Sequence, residues 1–399
     1  MTFLEASAWL DQRANLERRM DPAAWTSIKL ERVERLCELL GRPQDHGRTV
    51  HIAGSKGKGS TAALVAATLT AAGHRTGLYT SPHLVHLRER LQIDGEPIDE
   101  ATFARLVGER LVPAEAAYNA EGHGDELSFF DLLTALALVW FAEAQVDWIV
   151  LETGLGGRLD ATNVCRPVVC AITTLSLEHT QFLGATIAEI AAEKAGIIKP
   201  GVPIVSACPQ PAAAEEVLRA TAAERGSRLI WASGVRGVRG GELVGGTRAH
   251  EGQRVTIEWD GQPLELTLPL LGAHQVGNAA VARTVLALTN AADGRAAVDR
   301  VAVVRGFQGV RWPGRLQIID HRPWLVLDGA HTPDAAHALR AALERFPHER
   351  RWLVVAGARD KNIAGLLRAL TPGAAGLIVC GIPGNQRALA AEDLAAAAR

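Results

Sequence analysis

Apolar residues recur at helical spacing from about Ala23 to Leu40, where Trp25, Ile28, Leu30, Val33, Leu36, Leu39 and Leu40 mark one face before Gly41-Arg42-Pro43. The spacing predicts an amphipathic helix. The period then shortens. Arg48-Thr49-Val50 reads as a strand, Thr61 to Leu69 as a helix closed by Ala72-Gly73-His74, and Arg75 to Tyr79 as the next parallel strand, which together make one βαβ unit. Leu91 to Ile98 carries an Asp94-Gly95 hairpin turn, and Asp99 is placed to cap a helix running toward Val112. Leu127 to Ala144 is helical and strongly apolar, Val146 to Leu151 is a buried strand ending in Glu152, and Pro167 to Thr173 is another. A helix over Thr186 to Lys194 and a strand over Val202 to Ser206 continue the alternation. Between about Gly234 and Leu271 the pattern turns β-rich, with Arg254 to Trp259 and Leu264 to Leu268 flanking Asp260-Gly261 as an antiparallel hairpin. A helix from about Gln275 to Leu288 follows. The Asn290 to Arg311 region, with Asp293-Gly294 and Gly306 to Gly309, predicts a domain boundary. Beyond it Trp324 to Leu327, Trp352 to Val355 and Leu377 to Val379 read as strands separated by helices. The expected class is α/β: a parallel-sheet domain over residues 1–295, then a smaller Rossmann-like α/β domain over 296–399.

Composition narrows the function classes. At 399 residues the chain can bury sizeable cores in two or three domains. Its five cysteines, Cys37, Cys165, Cys170, Cys208 and Cys380, are scattered without C-x-x-C or His/Cys spacing, which argues against disulfides and zinc. No charged-then-apolar leader opens the chain, and the longest apolar run, about Leu132 to Ala142, is too short to span a bilayer. A soluble, cytoplasmic monomer is expected. A net charge of -2 leaves no positive excess for nucleic acid, so the expected partners are small molecules rather than nucleic acid or membrane.

The chemistry concentrates in His51-Ile52-Ala53-Gly54-Ser55-Lys56-Gly57-Lys58-Gly59-Ser60, between a strand and a helix. Glycines let successive backbone N–H groups converge on an anion, the helix N-terminus adds partial positive charge, and Lys58 adds a full one. A triphosphate suits that geometry. The pattern G-x-x-x-x-G-K-[ST] is not met, because Ile52 replaces the first glycine and Gly59 separates Lys58 from Ser60. Ser81 follows the next strand, at the sheet edge where ligands bind; it is either a Mg²⁺ ligand or the start of the turn that Pro82 enforces. Glu152 ends another strand and leads into the glycine-rich loop Thr153 to Asn163, a binding-loop composition. The strand Pro167 to Thr173 delivers Glu178 and His179 to the same edge. Ser81, Glu152 and His179 form a plausible divalent-ion set, with a structural histidine as the alternative.

This order of motifs resembles the folylpolyglutamate synthase/dihydrofolate synthase family, a branch of the Mur-type ATP-dependent amide ligases, over about Lys29 to Asn362. The resemblance implies a Mur-ligase-like P-loop ATPase domain followed by a glutamate-ligase domain, with ATP and Mg²⁺ as cofactors and a monovalent cation such as K⁺ as a further candidate. Gly57-Lys58-Gly59-Ser60 matches the family's phosphate loop and Tyr79 to His83 its second signature, so its metal ligands fall on Ser81, Glu152 and His179. Leu127-Ser128-Phe129-Phe130-Asp131 and the stretch around Leu159-Asp160-Ala161 resemble its pterin-side segments. Glu193 to Gly201 resembles the segment carrying a carbamylated lysine, which points to Lys194; the ordinary alternative is an ion pair of Lys194 with Glu193 or Glu189. His274-Gln275 with Asn278, Trp312 to Arg315 and Asp328 to His331 resemble nucleotide-binding elements, implying roles for Asn278, Arg315, Asp328 and His331. Four departures stand out: Ser55-Lys56 replaces Thr-Asn, Glu178 an Asp, Asp131 a Glu, and Thr332 an Asn. The Ala-rich end, without the expected Gly-Ser-containing last strand, implies a shortened second domain.

The implied reaction is attack of a folate or pteroate carboxylate on the γ-phosphoryl group of ATP, then displacement of phosphate by the amine of L-glutamate, with Lys58, Lys194 and His179 as catalytic candidates. The departures leave two rivals: a Mur-type ligase with another acid or amino acid, and a nucleotide-gated binding protein without ligase activity.

Overall fold

The computed structural model describes residues 1–15, 29–237, 252–293, 298–346, 348–383 and 387–398. Of the helix expected from Ala23, residues 23–28 lie outside the described residues; Lys29 is extended, and helix begins at Leu30. The first body holds helices α1 (Phe3–Asp11) and α2 (Leu30–Leu39), strand β1 (Arg48–Ala53), α3 (Lys58–Ala71), β2 (Thr76–Tyr79), β3 (Leu91–Ile93) and β4 (Glu96–Pro97). Then come α4 (Glu100–Leu106), a π turn, α5 (Val112–Ala120), α6 (Phe129–Glu143), β5 (Trp148–Glu152) and β6 (Pro167–Ile172). They are followed by α7 (Thr180–Leu183), α8 (Ile187–Ala195), β7 (Ile204–Ser206), α9 (Ala212–Glu224) and β8 (Leu229–Trp231). One sheet runs in the order β4-β3-β2-β5-β1-β6-β7-β8, parallel except that β3 is antiparallel to both β2 and β4.

Alternation along the strands assigns the two faces. Trp148 and Val150 of β5 join Val50 and Ile52 of β1 in a core with α3, whereas Ile149 and Leu151 pack with α2, α4 and α6. The apolar helix α6 opens with a reciprocal cap: Ser128 Oγ accepts from the Asp131 N–H, and Asp131 returns the bond. Asp99 caps α4 as expected, and helical structure runs past Val112 to Ala120.

The expected antiparallel hairpin is β10 (Gln253–Trp259) with β11 (Gln262–Leu268), paired on its other side to β9 (Val235–Gly237). Its apolar side, Val255, Ile257, Trp259, Leu266 and Leu268, enters the same core as α3, as do α10 (Ala273–Asp293) and α11 (Arg300–Gly309). Ala302, Val303 and Phe307 of α11 are buried in the first body's core, and a Cβ on Gly306 would lie 2.4 Å from Thr68 Cα, so that glycine admits close helix packing rather than a linker.

The remainder comprises β12 (Gln317–His321), β13 (Trp324–Leu327), α12 (Pro333–Leu343), β14 (Trp352–Val355), α13 (Ile363–Leu370), β15 (Gly376–Val379) and α14 (Ala391–Ala398). β14 and β15 are parallel, but β13 pairs antiparallel with β12 in a separate two-stranded sheet. The run Trp324 to Leu327 is therefore one arm of a hairpin.

Candidate active site

The chain leaves β1, turns at Gly57 and enters α3 at Lys58. The N–H groups of Ser55 and Lys56 both donate to the Thr174 carbonyl, at 3.0 and 3.1 Å, and Ser55 Oγ donates to the Ser176 carbonyl at 3.0 Å. The first half of the loop is thereby stapled to the chain after β6. The first turn of α3, Lys58-Gly59-Ser60, keeps N–H groups that a helix cannot satisfy internally, and these suit an anion. Gly57 has φ +87°, and a Cβ there would lie 2.1 Å from Asn278 Oδ1, so the position demands glycine twice over. Asn278 is thus brought onto the loop, its amide held by a 2.9 Å bond to Gln275 Oε1. A Cβ on Gly59 would meet the Trp312 ring at 2.5 Å.

Glu152 is buried at the tip of β5. Its Oε2 accepts from the Ser81 backbone N–H at 3.3 Å, and its Oε1 lies 3.9 Å from Lys58 Nζ. Burial raises its carboxyl above the usual range, against the pull of Lys58. His179 sits at φ 50° at the start of α7, with Nδ1 buried and unpartnered; burial, then Lys361, push its ring down to about 4. Among the described residues no three His, Cys, Asp or Glu side chains are grouped to hold a metal. The mixed donor set does fit a cation, since the Glu152 carboxylate is desolvated with Lys58 no nearer than 3.9 Å and Nδ1 of His179 is buried without a hydrogen-bond partner.

Lys194 lies behind the loop. Its Nζ is buried and donates to the Gly54 carbonyl at 2.9 Å; burial, then the neighbouring Lys58 charge, lower it to about 7. The ion pairs held as its ordinary alternative are not made: Glu193 pairs with Arg158 at 2.7 Å, and Glu189 caps Thr186.

The residues expected on the pterin side divide. Phe130 lies on Gly154, where a Cβ would meet its ring at 2.5 Å, and its ring centroid is 5.9 Å from that of Tyr79. Ser128 and Asp131, by contrast, are committed to the α6 cap, and Asp131 also forms a buried ion pair with Arg32 at 3.2 Å. Asp160 organises the glycine-rich loop, with Oδ2 accepting from the Gly154 and Leu155 N–H groups and Oδ1 from both the N–H and the hydroxyl of Thr162. Leu159 is half-buried beside it and Ala161 is buried.

From the second body, Arg315 Nη1 donates to the Gly314 carbonyl at 3.1 Å, and its charge acts on Glu152 across the cleft. Both carboxylate oxygens of Asp328 are taken by backbone N–H groups, of Leu316 at 2.8 Å and Ala330 at 2.7 Å, so Asp328 shapes the loop that presents His331. His331 Nε2 lies 3.6 Å from Glu178 Oε1. Glu178 is also ion-paired with Lys56 Nζ. This Lys56–Glu178–His331 contact was not anticipated, although two departures of opposite charge, Lys56 and Glu178, were its signal.

The profile of the Mur ligase middle domain matches residues 52–286, and that of the Mur ligase glutamate ligase domain matches residues 314–399. The folylpolyglutamate synthase of Lacticaseibacillus casei is 36% identical over 365 residues, covering 90% of this chain and 82% of that protein. The chain belongs to the folylpolyglutamate synthase/dihydrofolate synthase family. A probable bifunctional folylpolyglutamate synthase/dihydropteroate synthase of Haloferax volcanii is 38% identical over 355 residues; these are 88% of this chain, and the chain spans only 40% of that longer protein. Mycobacterium tuberculosis folylpolyglutamate synthase, solved with ADP and AMPPCP, superposes with a TM-score of 0.85 at 36% identity, over 99% of this chain and 85% of that one. Both Mur ligase bodies are thus present, and the Mur ligase fold is confirmed. No helix among the described residues is long and apolar enough to cross a membrane.

Proposed function

We propose that this chain is an ATP-dependent ligase that joins L-glutamate to the carboxylate of a folate, with dihydropteroate as a second acceptor, through an acyl phosphate. The observation that carries this reading is the convergence on one loop of Lys58, the unsatisfied first-turn N–H groups of α3, buried Glu152, and Arg315 from the second body. Membership of a folate-ligase family supports the substrate. The chain divides after α11 into a nucleotide- and folate-binding body and a glutamate-ligase body.

The residues act mainly by placement and charge. Lys58 and the α3 N-terminus hold the phosphates, Asn278 braces the loop, and Arg315 approaches from across the cleft to offset charge developing on the transferring phosphoryl group. Ser81, Glu152 and His179 would hold a divalent cation such as Mg²⁺, which neutralises phosphate charge when bound. Phe130 and the loop ordered by Asp160 form the pterin side. Lys194, lowered to about 7 and so with a sizeable neutral fraction near neutral pH, suits carbamylation, which would place an anion beside Lys58. The test is incubation with ATP, Mg²⁺, L-glutamate and either tetrahydrofolate or dihydropteroate, followed by mass spectrometry. A product heavier by one glutamyl unit is expected; stimulation only by a different acid or amine would contradict the folate assignment.

A further inference from the structure

We propose that Glu178 is a positioning residue that ties the second body to the phosphate loop, with Lys56 as its anchor on the loop and His331 as its catch on the other side. The proposal rests on the ligase reading above for its activity readout alone. Glu178 stands in the segment after β6 that Ser55 and Lys56 staple to the loop through Thr174 and Ser176, so its backbone moves with the loop. Its side chain is 7% exposed, yet it reaches both Lys56 Nζ and, at 3.6 Å, Nε2 of His331, whose side chain is 52% exposed.

The tautomer of His331 defines the contact. Its Nδ1 lies 2.9 Å from the Gly329 carbonyl, which can only accept, so Nδ1 carries a proton. Nε2 is then the ring atom that faces Glu178 Oε1, 3.6 Å away on the first body. Asp328 fixes the loop presenting that ring through the Ala330 N–H, so the ring is held by its backbone in the second body and free to be caught by the first. Lys56 meanwhile neutralises Glu178 from the loop side, which keeps a carboxylate tolerable close to the phosphate cradle.

A phosphate-binding role and a positioning role give opposite signs for nucleotide affinity. Glu178→Gln removes negative charge from beside the cradle while keeping the side chain's size, so AMPPCP should bind as tightly as to wild type or tighter. The kcat for glutamyl transfer should fall about tenfold or more, the scale of one charge-assisted contact. Compaction on adding AMPPCP with folate, read as the radius of gyration by small-angle scattering, should be lost. Glu178→Asp keeps the charge and should recover part of both. His331→Gln, at an exposed side chain, tests the same contact from the second body; it should reproduce the loss, and the double variant should be no worse than either single one. The proposal is overturned if Glu178→Gln ligates within twofold of wild type, if it weakens AMPPCP and kcat in parallel, if the two losses multiply, or if wild type does not compact. A wild-type protein that compacts through Glu178 but forms no glutamyl product would leave the positioning role standing and remove the folate reading instead.

Discussion

Replacing Lys194 by methionine should stabilise the protein while abolishing its activity. The lysine ammonium is 3% exposed, with one hydrogen bond, to the Gly54 carbonyl, and burial followed by Lys58 lowers it from 10.5 to about 7. The folded state therefore binds fewer protons than the unfolded chain between about pH 7 and 10.5, and native stability rises with pH across that window. Below it the lysine costs the native state roughly 4–5 kcal/mol; near pH 7 the cost is roughly 4. Methionine removes that cost but leaves the Gly54 carbonyl without its partner, worth about 1–2 kcal/mol, so a net gain of about 2–3 kcal/mol is expected at pH 7. The gain should shrink to nothing by about pH 10, where the unfolded lysine is itself partly deprotonated. Urea unfolding of wild type and Lys194→Met in bicarbonate-free buffer at several pH values is the assay. A variant less stable than wild type at pH 7, or a difference independent of pH, would refute the burial argument.

Carbamylation of Lys194 predicts that intact-mass analysis in bicarbonate shows an addition of one CO₂ that is absent from Lys194→Met; its absence from fully active protein would remove the modification. Glu152→Ala should abolish turnover with the fold retained, because the side chain contributes a desolvated charge rather than apolar packing; near-normal activity with an unchanged Mg²⁺ requirement would sink its role. Gly57→Ala forces an l-residue to φ +87° and a Cβ to within 2.1 Å of Asn278 Oδ1, so it should cost about 1–3 kcal/mol and abolish AMPPCP binding, as read by calorimetry.

The sheet was legible because β5 and β6 are buried on both faces and read as nearly continuous apolar runs between helical segments. The packing of α11 against α3 was not legible, because Gly306 and Gly309 look like linker residues and nothing local says that Gly306 lets Thr68 approach. The β12 arm was missed since Gln317 to His321 is half polar and gains its order from Trp324 to Leu327. In the site, Glu152 and the Gly57 turn follow from strand and glycine patterns. That Ser128 and Asp131 close on each other as a cap was available from their three-residue spacing, but the Arg32 partner comes from another helix altogether. The same holds for Lys56 and Glu178, which are distant in sequence and meet because two loops are stapled at Thr174.

In the proposed reaction the acceptor carboxylate, not water, receives the γ-phosphoryl group. A folate or pteroate labelled with heavy oxygen in its reacting carboxylate, turned over with ATP, Mg²⁺ and L-glutamate, tests this in one measurement. One labelled oxygen should appear in inorganic phosphate for every glutamyl bond formed, with ADP in equal amount and little ADP when either co-substrate is withheld. Unlabelled phosphate, or ADP formed at the same rate without acceptor and glutamate, would contradict it.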